Sequence, residues 1–168
     1  MTAEPIDWAA LSARGGLTVD DLPEEHSVGV RMELIDGSLI VTPLGDVEHQ
    51  KLAGRVYALL ISQSLPPGCI ALPGVNVMVG NRTLVIPDVA VVDPDHADSG
   101  LGIRPDGLRL AVEITSPSTR IHDLTTKREI YAGWSVPYVV VDRSSSPPTP
   151  RIHGELPSWG RVVLDALR

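Results

Sequence analysis

The chain has one cysteine, Cys69, no phenylalanine, and aromatic residues at only 4% of its 168 positions. A single thiol excludes an internal disulfide and a thiolate metal cluster and suits a reducing compartment, so a cytoplasmic address is expected. So few rings leave little material for a platform on which single-stranded bases could stack. No apolar run approaches the roughly 20 residues of a membrane span. The stretch from Met1 to Gly16 lacks a basic start followed by an apolar segment, so a soluble, unprocessed protein with no membrane partner is expected. Positive charge is scarce too. With 14 Lys and Arg against 21 Asp and Glu the formal charge is −7, which argues against gripping nucleic acid by charge alone. It does not exclude a nuclease whose acids hold a metal ion, and basic residues could still gather locally, Lys51 with Arg55 or Lys127 with Arg128.

What is present suffices for one domain: 43% hydrophobic residues in a chain of this length can bury a core. Pro5 to Arg14 reads as a short helix stopped by Gly15-Gly16, and Thr18 can cap the segment that follows. Val30 to Thr42 reads as two strands around Asp36-Gly37, a strong hairpin signal. Asp46 to Ser64 carries Val47, Leu52, Val56, Leu59 and Leu60 at helical spacing before Pro66-Pro67-Gly68. Ile70 to Val79 and Leu84 to Val92 read as a second hairpin turned at Gly80-Asn81, and Pro94 to Gly107 as a polar loop. Leu108 to Thr115 is a strand, Asp123 to Ala132 a helix ended by Gly133, and Pro137 to Asp142 a strand. Strand, helix, strand in that order favours a parallel pair with a right-handed crossover. Ser144 to Pro150 reads as a Ser/Pro linker, and Arg151 to Leu167 as short edge strands. The expectation is one α/β domain with a mixed β-sheet flanked by helices, spanning residues 1–168.

Two acids stand inside apolar strands, Asp88 after Pro87 and Glu113 within Ala111 to Thr115. A buried carboxylate costs several kcal/mol unless it is paired, protonated or bound to a metal. Alternation puts Glu113 and Thr115 on one face of their strand, and Asp88 meets them if the strands are neighbours. The two carboxylates with a backbone carbonyl, that of Ile114, and water would make a hard-oxygen site for Mg²⁺ or Mn²⁺. Read as a like-charge pair, the acids should repel, so removing either would leave metal-free stability equal or raise it.

These residues resemble the PD-(D/E)XK nuclease superfamily, whose metal-binding acids sit on adjacent strands of a mixed sheet. The fuller series is similar to one bacterial group, the Uma-two family of "putative restriction endonucleases". That series runs Glu33-Leu34-Ile35-Asp36-Gly37, Glu48-His49, Ile86-Pro87-Asp88-Val89, Val112 through Thr119, Asp123, Lys127, Tyr131, Val136-Pro137-Tyr138 and Val141-Asp142. It covers about residues 18–142, leaving 1–17 as an N-terminal helix and 143–168 as a linker with edge strands. The superfamily lysine two residues after the second acid is here Thr115. The resemblance implies that Lys127, from the following helix, replaces it, and that Glu33 adds a metal ligand or an acceptor beside the site. His49 and Gln50 are weaker candidates.

The resemblance implies an endonuclease that hydrolyses DNA with Mg²⁺ or Mn²⁺, Asp88 and Glu113 holding the ion, Lys127 orienting water or stabilising charge, and Glu33 in support. Plainer readings stay open for Pro87-Asp88 as a strand start, Glu33 as an exposed strand residue, and Lys127 on a solvated helix face paired to Asp123 at i,i+4. Two rival functions also stay open: a catalytically inactive nucleic-acid-binding or regulatory protein, and a metal-free hydrolase using Asp88 and Glu113 as an acid/base pair. A homodimer is expected for a protein that cuts two strands, with the segment after Pro147 as its interface.

Overall fold

The computed structural model describes residues 13, 15–22, 29–98, 102–115 and 123–167. The expected N-terminal helix falls almost wholly outside these residues, and so does the Ser116 to Thr119 part of the family series. Strands β1 (Val30–Ile35) and β2 (Ser38–Pro43) form the first hairpin. Asp36 and Gly37 turn it, both at positive φ (48° and 79°), which a tight primed turn requires and which Asp and Gly tolerate. Helix α1 (Val47–Ile61) follows, and its N-cap Asp46 accepts a hydrogen bond from the His49 N–H at 2.8 Å.

The next four strands, β3 (Ile70–Pro73), β4 (Val77–Val79), β5 (Thr83–Val85) and β6 (Val89–Val92), correct the sequence reading. Each expected strand of the second hairpin is broken in two, one near Gly74 and the other at Ile86-Pro87-Asp88. Proline has no N–H to give a ladder, and at Pro87 the chain leaves one sheet for another. The long hairpin is therefore shared: β4 pairs with β5 in one sheet, and β3 with β6 in the next.

Short strands β7 (Ala97–Asp98) and β8 (Gly102–Ile103), with two 3₁₀ turns, lie within the segment expected to be a polar loop. Then come β9 (Leu108–Ile114), a wide π turn (Asp123–Lys127) leading into α2 (Arg128–Gly133), β10 (Tyr138–Asp142) and β11 (Thr149–His153). Helix α2 runs through Gly133 and ends at Trp134, with Ser135 at positive φ beyond it. Residues Ser158–Leu167 form a 3₁₀ helix against α1, where edge strands were expected. Buried Val163 and partly buried Trp159 and Val162 join the core there.

Among the described residues the strands form two mixed sheets, not one: β2-β1-β5-β4-β8-β7 and β11-β10-β9-β6-β3. The pair β9–β10 is parallel, as strand, helix, strand requires, and β6–β9 is antiparallel. One face of the second sheet, with Val89, Val91, Leu110, Val112, Ile114 and Val139, packs on Leu52, Val56 and Leu60 of α1. The other face carries Ala90, Ala111, Tyr138 and Val140 toward Tyr131 of α2 and toward Val77 and Val85 of the first sheet. Tyr131 and Trp134 pack edge to face, centroids 5.7 Å apart. Where the two sheets meet, the chain crossing at Ile86 brings residues of β1 up to residues of β6 and β9.

Candidate active site

Arg31 and Glu33 are two apart on β1 and so share a face. They bracket the crossing backbone: Glu33 accepts the Ile86 N–H at 2.6 Å, and Arg31 Nη1 donates to the Ile86 carbonyl at 3.0 Å. Both polar groups of a residue that has left its ladder are thereby satisfied. The same Nη1 donates to Asp88 Oδ1 at 2.8 Å.

Asp88 stands one residue before β6, whose first pair is Val89 with Val112, so its side chain reaches the end of β9. Its Oδ2 accepts the Ile114 N–H at 2.7 Å and lies 3.0 Å from His49 Nε2. A carboxylate can only accept, so Nε2 donates. The His49 ring comes from the first turn of α1 and presses against Gly45, where any β-carbon would strike it. Its buried Nδ1 has no hydrogen-bond partner among the described residues.

Glu113 opposes Val140 in register, on the face turned from α1, and pairs with Lys127 Nζ at 2.6 Å. Lys127 also pairs with Glu33 at 2.9 Å and is 2% exposed. It ends the π turn, a wide geometry that recurs at functional sites. The solvated-face alternative for Lys127 is therefore not what the fold shows. Nor do Lys127 and Arg128 make a basic patch, since only Arg128 is exposed. Thr115, in the superfamily lysine's place, is buried and its hydroxyl accepts the Arg143 N–H at 3.3 Å.

Glu33, Asp88, Glu113 and Lys127 thus converge with Arg31 and His49 in one open cleft, with Thr42, Pro43 and Gly45 at its wall. Ile114, expected to offer its carbonyl, meets Asp88 through its N–H. The like-charge picture is corrected, because cations are interleaved with the acids: Lys127 between Glu33 and Glu113, Arg31 beside Asp88. Burial pushes the Asp88 carboxyl up, but the His49 hydrogen bond, the Arg31 charge and the Ile114 N–H together hold it well below the usual carboxylate range. Burial lowers the Arg31 guanidinium, and the charges of Asp88, Glu113 and Glu33 outweigh that and raise it. Arg31 was missed in the sequence, although its i,i+2 relation to Glu33 was the available signal.

Among the described residues no group of three or more His, Cys, Asp or Glu side chains is arranged to hold a metal ion. The donor chemistry nevertheless suits Mg²⁺: Asp88 and Glu113 offer hard carboxylate oxygens from neighbouring strands in an open cleft, and Mg²⁺ takes one or two carboxylates and keeps several waters.

The Uma2 family model, described as "Putative restriction endonuclease", matches residues 19–154. The crystal structure of "a putative nuclease belonging to DUF820" from Anabaena variabilis superposes with a TM-score of 0.61 over 90% of this chain and 99% of that one, at 16% identity, which is a likeness of fold. No curated protein matches the chain. With a nuclease-like fold and a family match over most of its length, the chain belongs to the Uma2 family of putative restriction endonucleases.

Proposed function

We propose that this protein is a divalent-metal-dependent endonuclease that hydrolyses phosphodiester bonds in DNA. One observation carries the reading: Lys127 is buried between Glu33 and Glu113 in an open cleft that Asp88 also lines. Three carboxylates and a lysine out of water stabilise a fold less well than apolar residues of the same volume. Such a cluster in a cleft is better explained by chemistry than by packing.

Asp88 and Glu113, with Ile114 contributing a backbone carbonyl, would hold Mg²⁺ or Mn²⁺. When bound, the ion supplies Lewis acidity toward a phosphoryl oxygen and lowers the pKa of water. His49 and the Ile114 N–H orient Asp88 and keep it ionised. Glu33 fixes the Lys127 ammonium, which donates to the attacking water or to the phosphoryl oxygen that gains charge. The remaining parts of the reading are a homodimer, with one site for each strand, and a cytoplasmic setting. A monomeric mass by light scattering would remove the dimer.

The test is cleavage of plasmid, linear duplex, single-stranded DNA and RNA in Mg²⁺, Mn²⁺, Ca²⁺ and EDTA, with Glu113→Gln as control. DNA should be cut in Mg²⁺ or Mn²⁺ by the parent alone, and bound without cleavage in Ca²⁺. Binding without cleavage under every condition would make it a nucleic-acid-binding protein. Cleavage that survives EDTA would point to a metal-free acid/base pair.

A further inference from the structure

We propose that Arg31 anchors the phosphodiester backbone of the substrate, an inference that rests on the nuclease reading and assigns a contact to the same cleft. Both hydrogens of its Nη1 are spent on the protein, one on the Ile86 carbonyl and one on Asp88. Among the described residues its Nη2 and Nε make no hydrogen bond. The side chain lines the cleft and is 21% exposed, whereas the Lys127 side chain is 3% exposed. The Nε–H and one Nη2–H lie on one planar edge, held in place by the two hydrogen bonds from Nη1, and form a pre-organised fork that matches two phosphate oxygens.

Neutralising Asp88 does not account for this edge. Asp88 already receives the Ile114 N–H and His49, and a lysine could supply the remaining charge. Only a guanidinium can hold Asp88 with one nitrogen and present a bidentate face with the other two. In a protein of net charge −7, such a cation beside three carboxylates lets a polyanion approach the acids.

The experiment measures binding of a fluorescein-labelled DNA duplex in Ca²⁺ across a salt series, for the parent, Arg31→Lys and Arg31→Ala. Thermal unfolding and calorimetric Mn²⁺ titration accompany each protein. Arg31→Lys should fold and bind Mn²⁺ like the parent, because it keeps the charge beside Asp88. It should bind DNA about tenfold more weakly as the fork is lost. Arg31→Ala should lose more and reduce the salt slope by about one phosphate contact. If Arg31→Ala does not fold, Arg31→Lys decides. Parent-like DNA affinity in Arg31→Lys overturns the proposal. So does a loss of Mn²⁺ binding in step with DNA binding, since Arg31 would then act through Asp88. Failure of the parent itself to bind DNA overturns the nuclease reading, and this contact with it.

Discussion

The two faces of β9 are both withdrawn from water but are filled by different chemistry. Leu110, Val112 and Ile114 pack on α1 as apolar side chains. Ala111, Glu113 and Thr115, on the other face, end in a cluster where every charge answers a neighbour's. The apolar face is held by many weak, non-directional contacts, so a small change in shape is absorbed. The charged face is held by a few directed ones, and losing one partner leaves the other buried and unpaired.

The largest break in that contrast is Lys127→Ala, which leaves Glu33 and Glu113 facing each other. Metal-free stability should fall by about 3–5 kcal/mol. Mn²⁺ should restore part of it, because an ion that binds only the folded state stabilises it. Cleavage should drop by a factor on the order of 10² or more. Thermal melts with EDTA or Mn²⁺, beside single-turnover cleavage, check this. Parent-like stability in EDTA would mean the ion pairs hold nothing together.

Asp88→Ala comes next. It should abolish calorimetric Mn²⁺ binding and cost about 2 kcal/mol, because the Ile114 N–H is left buried without its acceptor. Unchanged or raised stability would restore the picture of two repelling acids.

A smaller effect is expected from acid. The Asp88 carboxyl is depressed in the fold, so its ionised form stabilises the protein. That contribution is fully present above about pH 4 and is lost as pH falls toward the depressed value. Acid unfolding in EDTA should therefore cost the parent more stability than Asp88→Asn over this window. Equal losses would show that the cluster does not favour the anion.

Ile114→Val is the smallest. It keeps the N–H that Asp88 uses and removes one methylene from the α1 face, for about 1 kcal/mol. Cleavage should be unchanged. A large loss of cleavage would mean the two faces are not separable.

Much of the site was legible in the sequence, because a charge inside an apolar strand needs a partner. That argument, with the family resemblance, marked Asp88, Glu113, Lys127 and Glu33, and all four converge in the fold. It did not find Arg31, because an arginine near a strand start is unremarkable until its partners are known. It misjudged the acids as a like-charge pair, because counting carboxylates along a chain does not show which cations fold in between.

Local order was set by the sequence itself: the hairpin at Asp36-Gly37, the Asp46 cap of α1, the parallel crossover from β9 to β10 and the single apolar face of α1. These depend on interactions a few residues apart and on the period of the pattern, both present in any short window. Only the tertiary structure decided that the second hairpin divides between two sheets, that residues 158–167 coil against α1, and that Lys127 turns inward. Glu33 meets Ile86 across 53 residues of chain and Arg31 meets Asp88 across 57. Contacts at that range form only when packing has closed the intervening chain, and no local propensity encodes them.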